Sequence, residues 1–365
     1  MTPEERAWEV VSRAFEERTP QPRPRRRPTL AVVLAALAVA LGLAAAGLSA
    51  SQAVRRALGV EHAAPALVRL PTAGRLLVNS SAGPWIVERD GSKRHLGAWS
   101  EASWSPHGLF EVAIRGRELA ALDPKGNVRW SLERGPILAA RWSGDGYRIA
   151  YLSGTRLRVV AGDGTGDRLL ASRVAPVAPA WNGVSHRLLY VDLRGRVHYV
   201  DADSGRAFWV TGPAARPLKV AWMFTGRTVV ELTSRSLRVF HVRNGRLFKA
   251  IPLPAGEHRL ALSPTGPVAI TSPGGILLVH PAHPWIAPRQ IFKGEGAFAD
   301  LVWSPDGHWL LASWTAADQW VFIRLGIRSG AAERVQAVSA IAGRFQARGR
   351  LGFGGWCCAF AWPSG

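Results

Sequence analysis

One short phrase, an indole followed within a few residues by a turn glycine, recurs along the chain at a nearly fixed interval. Its clearest copies are Trp104-Ser105-Pro106-His107-Gly108, Trp142-Ser143-Gly144-Asp145-Gly146 and Trp303-Ser304-Pro305-Asp306-Gly307. Weaker copies begin at Trp181, Trp222, Leu262 and Trp362, so that successive copies stand 38, 39, 41, 40, 41 and 59 residues apart. A second marker shares the period: Asp90-Gly91, Lys125-Gly126, Asp163-Gly164, Ser204-Gly205, Asn244-Gly245 and Ser329-Gly330, with His280-Pro281-Ala282-His283-Pro284 where one glycine is missing. Asp-Gly and Asn-Gly turns between alternating apolar runs favour antiparallel hairpins over helices. Two markers with a period of about 40 residues predict one four-stranded unit per repeat, and so an all-β, seven-bladed propeller.

A blade cannot bury both of its faces alone, so blades must stack around an axis with the recurring indole wedged between neighbours. The ends of the chain suggest how the ring closes. The phrase at Trp362 has no strands after it, while residues 74–80 and 85–88 look like the second and third strands of a blade that lacks its first. The last strand of the chain is therefore expected to complete that blade, with the surplus between Trp303 and Trp362 forming a loop near 341–354. Through the Trp-Ser-Pro-Asp-Gly phrase and the Asp-Gly turns, residues 67–365 resemble TolB-type and WD-repeat-like propellers. Segments 121–130 and 200–209 are similar to quinoprotein-type repeats. The first is one residue short of that pattern and most blades lack the outer tryptophan, so both read as shared blade grammar. These resemblances imply a fold and no single activity.

The first 66 residues lie outside the repeats. From Leu30 to Ala50 run 21 residues without a charge, enough at about 1.5 Å per residue to cross the roughly 30 Å core of a bilayer. The preceding cluster Arg23-Pro24-Arg25-Arg26-Arg27-Pro28 favours a cytoplasmic N-terminus and a propeller on the outer side. A cleaved secretory signal, with Ser51-Gln52-Ala53 as its site, is the alternative; its apolar core is normally only about 7–15 residues. Residues 2–18 read as an amphipathic helix, opened by the Thr2/Glu5 capping pattern and Pro3, with Trp8, Val11 and Phe15 on one face. That stripe suits a cytoplasmic protein partner or the membrane surface. The expected division is a cytoplasmic segment at 1–28, a transmembrane helix at 29–50, a linker at 51–66 and the propeller at 67–365.

The formal net charge is +20, of which residues 1–28 contribute +2. The remainder would attract anionic envelope material such as lipid headgroups or acidic wall polymers. Its arginines are scattered over many blades with no basic run, which argues against a nucleic-acid groove. The two cysteines, Cys357 and Cys358, are adjacent in the expected closing strand. Neighbouring strand residues face opposite ways, so they read as two small buried side chains, with a strained vicinal disulfide as the alternative.

No catalytic residue, metal ligand or cofactor-binding residue emerges. There is no Gly-x-Ser-x-Gly elbow and no paired-cysteine zinc pattern. His280 and His283 fall in a proline-rich hairpin tip without a carboxylate, and Gly162-Asp163-Gly164-Thr165-Gly166-Asp167 occupies a hairpin-turn position. His186, His198 and His241 belong to different blades. The expectation is a non-enzymatic, single-pass membrane protein presenting a ligand-binding, scaffold or sensing propeller outside the membrane, its ligand, a protein or anionic envelope material, meeting loops around the axial channel. The alternative is a transmembrane regulator with the layout of an anti-sigma factor, although the His-x-x-x-Cys-x-x-Cys zinc motif of that class is missing. A propeller glycosidase or quinoprotein is the third possibility.

Overall fold

A strand that is buried at every position has both of its faces covered. Thr228–Thr233 is buried at all six residues, as is Val268–Ser272 at all five. Such strands belong between layers rather than on an outer surface. The computed structural model describes residues 69–357 apart from 184, 215–216, 284–285 and 327–331, and in it these strands are sandwiched between neighbouring blades. The described residues form seven four-stranded antiparallel sheets, an all-β, seven-bladed propeller. Six sheets use four consecutive strands each. The seventh joins Gly352–Cys357 to Arg75–Ser80, Gly83–Val87 and Lys93–His95, and we number it blade 1. Leu76 lies opposite Trp356 and Arg75 opposite Cys357 in that closing pair.

The recurring indole has a specific task. The inner strands of blades 2 to 7 are Glu101–Trp104, Ile137–Trp142, Ala180–Trp181, Pro217–Trp222, Leu260–Leu262 and Phe298–Trp303. Each ends on the repeat position. Trp104 Nε1 donates to Gly355 O (3.1 Å), Trp181 to Arg141 O (2.8 Å), Trp222 to Ala180 O (3.1 Å) and Trp303 to Ala261 O (3.1 Å). In every case the acceptor is the residue just before the repeat position of the preceding blade. Gly355 precedes Trp356, so Trp356 and not Trp362 holds the seventh repeat position. Trp362 lies outside the described residues. Truncating one of these bonded tryptophans should cost about 3–5 kcal/mol.

The surplus before the closing strand is more ordered than the loop expected near 341–354. It opens with a helical turn, Ile341–Arg344, and it seats Ile341 and Phe345 in the core between blades 7 and 1 beside Trp320 and Trp356. By Gly352 the chain is already strand. Cys357 is disulfide-bonded, which corrects the reading of two separate buried side chains. Among the described residues no helix is long and apolar enough to cross a membrane. The segment from Leu30 to Ala50, the helix expected over 2–18, the linker at 51–66 and Cys358 all lie outside them.

Candidate functional site

Strand order gives the ring two unlike faces. One carries the Trp-Ser-x-Asp-Gly turns and the third-to-fourth-strand turns, and we call it the turn face. The other carries the second-to-third-strand hairpins and the connections between blades, and we call it the hairpin face. The chain comes into the ring on the turn face, where Leu70 N donates to Arg89 O (2.9 Å).

Five charged side chains on or just before the inner strands converge on the axial channel. Glu101, Lys219, Arg259 and Asp300 each stand three residues before the repeat position of their blade, and Arg141 stands one before. An inner strand is flanked by neighbouring blades, so its accessible residues face the axis. Arg141 Nη1 donates to Glu101 Oε1 (2.8 Å) across blades 3 and 2. Lys219 Nζ donates to Leu260 O (2.7 Å) across blades 5 and 6, and Arg259 Nε to Ala299 O (3.0 Å) across blades 6 and 7. Asp300 Oδ2 accepts from Phe353 N (2.8 Å) of the closing strand. Asn79 completes the collar, donating to Ala102 O (3.0 Å) and accepting from Ala102 N (2.9 Å). The collar therefore stitches blade to blade while keeping three cations and two acids in one narrow space.

Confinement bears on the charges of the pair at its centre. Lys219 reaches water in the channel but is ringed by protein. Burial lowers its pKa, Arg141 and Arg259 repel it further, and Asp300 pulls the other way. Burial raises the pKa of Asp300, against the attraction of Lys219 and two backbone N–H groups. Poorly solvated cations with spare donors are the kind of group that gains most from an incoming acceptor. At the lip, Leu138 and Leu218 are the bulged residues of their inner strands and stay exposed.

Among the described residues, two cavities also open on the hairpin face. The larger, about 700 Å³, lies between blades 4 and 5 against Pro213, Ala214, Thr233, Arg235 and Arg238. Arg238 lies over the Phe240 ring (4.9 Å) and donates to Glu231 Oε2 (2.8 Å). Burial lifts the Glu231 carboxyl to about 7 despite that arginine. The smaller, about 280 Å³, belongs to the blade 4 hairpin. Away from both, Glu111 is fully buried with neither carboxyl oxygen hydrogen-bonded, and burial pushes it up to about 8 against the pull of Arg75.

The residues weighed from sequence are placed as follows. Asp167 at the end of the Gly162 turn accepts from Arg134 Nε (2.7 Å), Tyr151 OH (2.7 Å) and Arg158 Nη2 (2.8 Å), and so anchors a blade edge. His283 N donates to His280 O (2.9 Å) within a tight turn. His186, Asp201 and Asp203 bring possible ligand atoms within 4.8 Å of one another on the turn face. Asp203 is bidentate to Arg148 (2.7 Å twice) and His186 pairs with Asp201 (2.9 Å), so the group is an ion-pair network joining blades 3 and 4. His198 lies against Tyr190 in blade 4, the same blade as His186 and not a different one as expected, and His241 lies against Phe248 in blade 5. The collar was missed because its members become neighbours only on closure. Its one signal is the recurrent charge three residues before the repeat position. Trp8, Val11 and Phe15 lie outside the described residues.

No protein-family model matches the sequence, and no curated protein matches it. Among solved structures, a chain of "Crystal Structure of Mitotic Checkpoint Complex" is similar with a TM-score of 0.52 at 15% identity, over 62% of this chain and 73% of that one. "KlHsv2 with loop 6CD replaced by a Gly-Ser linker" gives 0.55 at 13% identity, over 73% of this chain and 94% of the other. Likeness at such identities shows the propeller fold alone.

Proposed function

We propose that this chain is a membrane-tethered binding module whose propeller stands outside the membrane and recognises an anionic ligand at the channel mouth of its hairpin face. The observation that carries the reading is the collar: five charged side chains from five blades meet at one opening, and three of them are cations with donors to spare. A propeller presents a rigid platform for such convergence, and function on this fold resides in the site rather than the scaffold. The uncharged run from Leu30 to Ala50 and the basic cluster before it support the tether and its orientation. The chain comes into the ring on the opposite face, so that point does not crowd the mouth.

The test is a C-terminal tag on the full chain in a bacterial membrane background. The tag should sediment with membranes and be digested by protease added to intact cells; protection of the tag would sink the outward orientation. In parallel, retention on isolated envelope material should fall at least tenfold in Lys219→Ala/Arg141→Ala, the loss expected for two charge-assisted hydrogen bonds. Unchanged retention would remove the collar from the site.

A second reading rests on the apolar stripe of Trp8, Val11 and Phe15, which fits a cytoplasmic protein and would make the chain a transmembrane regulator. Cross-linking in cells with Phe15 replaced by a photoreactive residue should then capture one specific protein. Capture of lipid only would exclude it.

A further inference from the structure

The hairpin of blade 4 breaks the rule its neighbours follow. In blades 1, 2, 3, 5 and 6 two residues join the second and third strands, whereas five separate Arg187–Val191 from Val197–Asp201. The insertion forms a cavity of about 280 Å³ lined by Arg173, Tyr190, Asp192, Arg194, Arg196 and His198. Asp192 organises it. Its carboxylate accepts from Arg194 N (2.9 Å), Arg196 N (3.0 Å), Arg196 Nε (2.8 Å) and His198 Nε2 (3.0 Å). Burial opposes ionisation of Asp192, and those hydrogen bonds outweigh it and hold the carboxyl well below the usual range. Asp192 thus spends its charge on Arg196 and the hairpin backbone, and offers nothing to the rest of the cavity.

Three other donors are left over. Arg173 and Arg194 have no acidic or hydrogen-bonded side-chain partner among the described residues. The hydroxyl of Tyr190 has none either, although that side chain is only 9% exposed and its ring stacks on His198 at 4.6 Å. The hydroxyl itself is not sealed from solvent and lines the cavity as an available donor. Burial and the nearby Asp192 charge raise the Tyr190 pKa against the pull of Arg196, so it stays a donor. Arg173 is held at φ 59°, a left-handed conformation that a non-glycine residue adopts at a cost, while its carbonyl is clamped by Leu193 N (2.9 Å). The backbone thereby fixes one cation beside the inserted hairpin that carries the other.

We propose that this cavity is a phosphate-ester site, separate from the channel collar and independent of the membrane reading. Two free guanidinium groups and one phenol present a net double positive charge and several donors, which match a dianionic oxyanion with three acceptor oxygens. A water occupies about 30 Å³ of liquid, so the cavity has room for more than a bare phosphate and would admit the small polyol or sugar that carries it.

The test is titration of the purified full-length protein with glycerol 3-phosphate and with inorganic phosphate, read by calorimetry and by phosphorus NMR line broadening, with acetate as the control anion. Saturable binding of both phosphates is expected, the ester tighter and acetate absent. Arg194→Ala should weaken the ester at least tenfold and Tyr190→Phe about three- to tenfold, each the loss of a hydrogen bond to a charged group. Both substitutions remove an atom group without a protein partner, so unchanged unfolding midpoints will show that the fold is intact. Absence of saturable phosphate binding to the wild type, or binding that neither variant alters, overturns the proposal.

Discussion

On the turn face, blades 2 to 7 repeat one hydrogen bond almost to the atom. The residue after the repeat position donates its N–H to a carbonyl four or five residues on: Ser105 to Phe110, Ser143 to Arg148, Asn182 to Arg187, Met223 to Thr228, Ser263 to Pro267 and Ser304 to Trp309. Where that residue is serine, its hydroxyl adds a further bond, as when Ser304 Oγ donates to Asp306 Oδ1 (2.5 Å) and accepts from Trp309 N (2.9 Å). The hairpin face, built from the same strands, keeps a two-residue hairpin in five blades and departs from it in two. Blade 4 carries a five-residue hairpin and blade 7 a helical turn with left-handed Asp318. Repetition marks where every blade meets the same demand, the reversal of a strand beside the neighbour's indole. Departure marks where a blade is free to do something the ring does not require.

The contrast can be broken most forcefully through stability. Trp303→Ala removes an indole that is buried and bonded across two blades, and should lower unfolding free energy by about 3–5 kcal/mol in urea titrations. Arg194→Ala on the other face should stay within about 0.5 kcal/mol. Equal losses would erase the distinction between scaffold and site.

The next effect depends on pH. Glu111 has a folded-state value of about 8 against an ordinary 4.5, so between those values the folded chain holds a proton that the unfolded chain has released. The Glu111 contribution is therefore full below about pH 4.5, declines as pH rises to about 8 and is level above it, with a total of a few kcal/mol. Glu231 adds a decline of the same sign that ends near pH 7. Glu111→Gln should flatten most of the slope between pH 5 and pH 8.5. A wild-type midpoint that does not fall over this range would show that the carboxyl is better solvated than its burial implies.

A smaller loss, about 1–2 kcal/mol, is expected for Ser304→Ala, which strips a buried N–H of its acceptor. Smallest of all, Leu138→Ser at the channel lip should leave unfolding within about 0.5 kcal/mol while altering retention on envelope material. A lip substitution that destabilised as much as Ser304→Ala would place Leu138 in the scaffold.

The same contrast explains what was legible in the chain. Seven blades were readable because the turn face writes its demand into the sequence as tryptophan, serine and glycine at a fixed period. The misreading of the seventh copy has a physical cause. In blade 1 the phrase is divided between the two ends of the chain. Trp356 supplies the indole, and the turn glycine is Gly74 at φ 108°, one residue before the strand that pairs with it. No scan along the chain can rejoin them. The collar was hidden for a related reason: a lysine, an arginine and an aspartate about 40 residues apart look like unrelated surface charges until the axis gathers them. The blade 4 cavity was visible only as a hairpin too long for its repeat, and His198 was weighed there as a stray histidine rather than as the partner of Asp192.

Closure by the last strand gives the ring a built-in check on its own completeness. During synthesis the chain emerges at about 5–20 residues per second, and every blade but the first can form from contiguous strands as it appears. Strand Arg75–Ser80 keeps an open edge until Gly352–Cys357 arrives. A polypeptide cut short by a few dozen residues would leave that edge, and the apolar cluster around Trp320 and Phe345, unpaired. Such a product is marked for aggregation or proteolysis by its exposed strand alone. The strand that finishes the ring also certifies that everything before it was made.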